Sequence, residues 1–148
     1  MITITATATD DLMAKLAVLQ SDSTRNALLD EAEALLLNRI RTRFLAEEGP
    51  DGKWVPSKAG MIRRAGGFTR SNGRKWTGTG TLFASGMLFH SIQAHAVDNS
   101  SRSIGTDVFY APFLQVHERG PWVFLGANDE DLSLMEKSII RRVKELIE

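Results

Sequence analysis

The chain is predicted to fold as a small α+β domain: a small antiparallel sheet packed against two long helices, with a long basic loop between sequence-distant parts. Three observations predict this. Apolar residues recur at helical spacing in two stretches, Leu28 to Phe44 and Leu132 to Leu146. Between them, Leu88 to Val97 alternates, turns at the polar corner Asp98-Asn99-Ser100-Ser101 and returns from Ser103 to Thr106, the pattern of a hairpin. The length, 148 residues with 43% apolar, supports one core and is too short for two comfortable ones. One domain over 1–148 is expected, with both helices on one face of a curled sheet.

Taken in order, Ile2, Ile4, Ala6 and Ala8 alternate with threonines, the period of a strand. Asp10 or Asp11 is placed to cap a short helix carrying Leu12, Leu16 and Leu19 on one face. The first long helix follows, capped by Asp22 or Ser23, with Leu28, Ala32, Leu35, Leu36, Ile40 and Phe44 on its stripe. Its acidic residues lie early and Arg39, Arg41 and Arg43 late, which complements the helix dipole. Gly49-Pro50-Asp51-Gly52 stops it near Glu47-Glu48 and sets a tight turn, behind which Trp54 anchors the loop to the core.

From Pro56 to Lys75 neither period survives, and the segment reads as an irregular loop or arm over 56–76. Glycine-threonine turns then lead to the hairpin, in which Leu88 and Ile92 face the core. A Tyr110-Ala111-Pro112 step and the run Pro121 to Leu125 complete the middle of the chain. Asn128 caps the last helix, with Asp131 at the capping-box position and Leu132, Met135, Ile139, Val143 and Leu146 as its stripe.

The formal net charge is zero, so no global field points to nucleic acid or a membrane surface. There is no cysteine, which excludes thiol catalysis, cysteine-ligated metals and disulfides. The opening residues lack a basic region ahead of an apolar run, unlike a signal peptide, and no apolar stretch approaches the roughly 20 residues of a membrane span. The charge is uneven, however. Lys53, Lys58, Arg63, Arg64, Arg70, Arg74 and Lys75 form a block with no acidic residue, interleaved with Trp54, Phe68 and Trp76.

Catalytic patterns mostly fail. The glycines at 67 and 73 are spaced one residue too far for a phosphate loop, and Gly78-Thr79-Gly80 lacks the third glycine of a dinucleotide fingerprint. His90 and His95, five apart on an expected strand, point to opposite faces, and His117 stands apart from both. Ser85 and Ser91 have no nucleophile-elbow pattern around them. The carboxylates concentrate in helix first turns, where capping accounts for them. No enzyme, cofactor or metal is expected.

Three ordered blocks resemble the phage virion morphogenesis (tail completion, or tail terminator) family of Mu-like and related tailed phages. The first is Phe44 followed by Gly49-Pro50-Asp51-Gly52-Lys53-Trp54. The second runs from Thr81-Leu82 through Gly86, Leu88, Ser91-Ile92 and Ile104-Gly105-Thr106 to Tyr110-Ala111 and Gln115 to Gly120. The third is Pro121 to Gly126 with the capped helix from Asn128 to Ile147. The chain departs from the family in passing directly from Pro121 to Trp122, where members commonly carry an arginine.

The resemblance implies a structural role: a ring, expected to be a hexamer, at the head-proximal end of the tail. Such a ring would end the tail tube and join it to the head–tail connector or neck, with genomic double-stranded DNA passing through its channel. Its place would be the virion neck region, after assembly in the host cytoplasm, with no membrane involved. Tyr110, His117, Arg119 and Trp122 lie in these blocks and join the seven basic residues, Trp54 and Trp76 as candidate contact residues. The second reading is a nucleic-acid-binding module using the 53–75 arm; an enzyme such as a small hydrolase ranks third. The arm's glycines and like charges predict that it is mobile in a free subunit, with trypsin cutting rapidly at Arg63, Arg64 or Arg70.

Overall fold

The structure, a computed structural model, describes residues 10–69, 71–73, 75–76, 80–83, 85–117 and 122–148, without the side chains at 10–13, 16, 68, 75 and 76. The expected strand from Ile2 to Ala8 and the side chains of Leu12 and Leu16 therefore lie outside the described residues. The architecture is α+β. Helices α1 (Asp10–Gln20) and α2 (Asp22–Leu45) are followed by the ladder β1 (Glu48–Gly49) with β2 (Gly52–Lys53). Then come α3 (Lys58–Arg64), the ladder β3 (Phe68–Thr69) with β4 (Lys75–Trp76), and α4 (Met87–Ser91). The hairpin β5 (Gln93–Asp98) and β6 (Ser101–Gly105), α5 (Ala111–Gln115) and α6 (Asp129–Ile147) complete it.

Several starts and stops follow local chemistry. Ser21 caps α2, its hydroxyl accepting from the Thr24 amide at 3.2 Å, so the cap lies one residue before the expected Asp22 or Ser23. Asp10 and Asp11 fall within α1 rather than ahead of it. Asn128 and Asp131 form the full capping box of α6, each side chain accepting from the other's backbone amide at 3.0 Å. At the end of α2, Glu47 takes the left-handed backbone (φ 58°) that glycine usually supplies. Its side chain gives the reason: the carboxylate accepts from the Thr81 amide and pairs with Arg64.

Among the described residues, three separate antiparallel pairs stand in place of the single curled sheet expected from the sequence. The expected first strand of the hairpin also splits. Met87–Ser91 is helical, starting from Gly86 at φ 81°, and only Gln93–Asp98 pairs, from Gln93 opposite Gly105 to Asp98 opposite Ser101. Leu88 and Ile92 still reach the core, because a helical turn can carry both inward as a strand would. Nor is 56–76 irregular throughout. Ser57 caps α3, its hydroxyl 2.9 Å from the Gly60 amide, and Phe68–Thr69 pairs with Lys75–Trp76.

The core gathers Ile40, Phe44, Trp54, Leu88, Ile92, Ala111 and Phe124. Phe44 is its hub, with ring centroids 5.3 Å from Trp54, 5.5 Å from Phe89 and 5.8 Å from Phe124. Offset and edge-on packing of this kind adds about 0.5–1.5 kcal/mol per pair beyond area burial. Leu35, Leu36, Ile139 and Val143, expected in the core, are only half-buried. The reason is the seam between α2 and α6, which is closed by charged and polar groups. Asp131 is fully buried and accepts from Arg39 Nε at 2.8 Å and from Arg43, itself buried, while Ser138 donates to Glu31. These contacts turn α6 so that Asp131 and Ser138 face inward and Leu132, next in sequence to Asp131, is 53% exposed.

Candidate functional site

The candidate contact residues fall into three groups once folded. Trp54 belongs to the interior: it is buried, its indole Nε1 donates to the Val123 carbonyl at 3.0 Å, and its amide donates to the Glu47 carbonyl at 2.8 Å. It anchors the Pro50–Gly52 turn as the sequence predicts, and it presents nothing to a partner. Arg63 is also engaged within the subunit. Its guanidinium donates to the Gly80 carbonyl at 3.0 and 2.7 Å and to the Thr81 carbonyl at 2.6 Å, and burial lowers its pKa below the usual arginine value. Arg64 pairs with Glu47. The expectation of a freely mobile arm therefore does not describe α3, which is fastened to residues 80–81 through Arg63 and through Gly60. A side chain at position 60 would begin 2.8 Å from the Thr81 Cα.

The second group faces outward. Lys53 and Lys58 are exposed. The third shares a cleft. Arg63, Tyr110 and Trp122 line an apolar hollow of about 400 Å³ together with Leu82, Met87 and Leu114. Trp122 is half-buried there, donating from Nε1 to the Val55 carbonyl at 2.7 Å, with its ring 5.2 Å from the His117 ring. Tyr110 is the N-cap residue of α5 and packs against the core. Arg70, Arg74 and Arg119, and the side chains of Lys75 and Trp76, lie outside the described residues.

Beside this hollow, α5 and the residues flanking it carry an outward face that sequence reasoning did not single out. Phe109, Phe113 and Val116 are 84%, 68% and 75% exposed. Their spacing of four and three is the signal that could have found them, since it marks one side of a helical turn. The intervening Pro112 obscured the helix, although proline is well tolerated in a first turn. Large apolar side chains also stand outward on α3 (Met61, Ile62) and on α6 (Leu132, Ile140). Clustered exposure of this kind marks contact surfaces.

His90 lies on α4 and not on the strand expected for it, edge-on to Phe83 and Phe89, while His95 is on β5. Among the described residues no three His, Asp or Glu side chains come together to hold a metal ion. The buried carboxylate of Asp131 is structural. Burial pushes the Asp131 pKa up, but hydrogen bonds from Arg39, the Asn128 amide and Arg43, with the Arg43 charge, outweigh it and hold it below the usual aspartate value. No helix among the described residues is long and apolar enough to cross a membrane. Comparison with protein-family models, curated proteins and solved structures finds no match for this chain.

Proposed function

We propose that the protein is a structural virion subunit that forms a ring at the head-proximal end of a phage tail. The ring, expected to hold six copies, ends the tail tube and joins it to the head–tail connector or neck, and genomic DNA passes through its channel. The ordered blocks from Phe44 to Trp54, Thr81 to Gly120 and Pro121 to Ile147 support the reading by their resemblance to tail-completion proteins. The observation that carries it is the set of outward apolar faces on three different helices, α3, α5 and α6. A monomer working alone has no use for three such faces. A ring subunit must touch a neighbour on each side and further proteins above and below.

The nucleic-acid reading gains nothing comparable. Trp54 is inside, and Arg63 and Arg64 are engaged within the subunit. The test is an infection in which this protein is not made. Filled heads and separate tails, the tails of uncontrolled length, are the expected products in electron micrographs. Normal infectious particles would end the tail-completion reading.

A further inference from the structure

Two of the outward faces are matched in chemistry. On α3 the inward side carries Gly60 and Arg63, and the outward ridge carries Lys58, Met61 and Ile62. On α6 the most buried side chains are Asp131 and Ser138, while Leu132, Glu136 and Ile140, spaced four apart, form the outward ridge with Asp129 at its start. On α3 polar or small groups hold the helix to the subunit and apolar groups face away; α6 likewise turns Leu132 and Ile140 outward, although its Met135, Ile139 and Val143 are half-buried. That arrangement wastes the hydrophobic contribution of four large side chains unless something covers them.

The charges say what covers them. The block from Lys53 to Lys75 holds seven of the chain's eighteen basic residues and none of its eighteen acidic ones, so the remainder of the chain carries a net charge of −7. No ion pair within the subunit engages Lys58 on the α3 ridge, or Asp129 and Glu136 on the α6 ridge, among the described residues. One ridge is apolar and basic; the other is apolar, with Asp129 and Glu136 over its first half and Lys144 beyond Ile140 at its far end. The surface with the composition to cover the first is the second, on another copy of the same chain.

We propose that the α3 ridge of one copy docks on the α6 ridge of the next, Lys58 facing Asp129 and Glu136 while Met61 and Ile62 pack against Leu132 and Ile140. The contact is head to tail. An open assembly keeps one unused ridge of each kind, at its two ends, and grows until rotation closes it. This deepens the ring reading by naming its lateral interface, and to that extent rests on it. The charged part of the contact weakens with salt, since the Debye length falls to about 3 Å at 1 M.

The decisive measurement is sedimentation of the purified full-length protein and of two variants, Lys58→Glu and Glu136→Lys, each checked for an unchanged circular dichroism melt. Wild type is expected as a multi-subunit species. Either variant alone sets like charges against each other across the interface and is expected to associate on the order of tenfold or more weakly. Mixing the variants in equal amounts restores an oppositely charged 58–136 pair at every junction. The substituted position 58 of one variant then meets the substituted position 136 of the other, and at the next junction the native Lys58 meets the native Glu136. An alternating assembly with an even number of copies should reappear. A monomeric wild type, an assembly indifferent to both variants, or no recovery on mixing overturns the pairing. The infection experiment judges the ring reading separately: assembly that survives both variants alongside unjoined heads and tails would leave the ring standing with a different lateral contact.

Discussion

The two sides of α2 are held by opposite kinds of chemistry. Toward β1, α4 and the loop before α6, the helix buries Ile40 and Phe44 among Trp54, Phe89 and Phe124, a dry cluster of rings. Toward α6 it presents Glu31, Arg39 and Arg43, which engage Ser138, Arg141, Glu130 and Asp131 in an antiparallel row. The aromatic side is cohesive without direction, and its rings could shift by a fraction of an ångström at little cost. The charged side is directional. A carboxylate fully removed from water tolerates its position only while its partners stay in place. The comparison teaches where this fold takes its stability and where it takes its alignment: the rings supply burial, and Asp131 fixes the angle and phase at which α6 lies on α2.

That difference can be broken from either end. The largest effect is expected from Asp131→Ala, which leaves the buried Arg43 charge without its counter-ion at about 3–5 kcal/mol and removes the half of the capping box that accepts from the Asn128 amide. Chemical denaturation should report the loss, and proteolysis should show α6 released first. Phe44→Ala should cost about 3–5 kcal/mol through the lost ring and its cavity, but without preferential release of α6. A melt moved by less than a degree would refute the placement of Phe44 at the hub. Equal release of α6 in both variants would refute the division of labour between the two sides.

Acid sharpens the comparison. The folded pKa of Asp131 is depressed, so its contribution is fully present above the usual aspartate value of about 3.9 and is lost as pH falls through its lower folded pKa. Wild type and Phe44→Ala should therefore share a steep loss of stability in that acid range. Asp131→Asn should show a flatter profile there, from a lower starting stability. Identical acid slopes in all three proteins would show that other carboxylates govern the acid transition.

A smaller effect is expected from Arg102, which fastens β6 to α2 through Asp30 Oδ1 at 2.8 and 2.9 Å and Asn26 Oδ1 at 2.9 Å. Asp30 is exposed, and exposed pairs contribute about 0.2–1 kcal/mol. Arg102→Ala should thus destabilise modestly, with faster hydrogen exchange confined to the hairpin. A loss matching that of Asp131→Ala would erase the distinction between buried and exposed ion pairs.

What the sequence by itself determined is local. The α2 stripe, its stop before Gly49-Pro50, the Asp98–Ser101 corner and the Asn128–Asp131 capping box all rest on contacts within a few residues, or on a backbone preference carried by one residue type. Packing decided the rest. The period of Leu132, Ile139 and Val143 defines an apolar side of α6, yet Arg43, 88 residues away in the chain, takes Asp131 to the interior and turns that side partly outward. Likewise seven basic residues read as one arm, but residues 80–81 draw Arg63 inward and Glu47 pairs with the exposed Arg64, leaving Lys53 and Lys58 exposed and outside the subunit's ion pairs among the described residues. Periodicity records which side chains avoid water; it does not record which buried charge finds a partner. An unpaired buried charge costs several kcal/mol, more than the partial exposure of a leucine or a valine, so the distant partners set the helix phase and, with it, the faces left for other proteins.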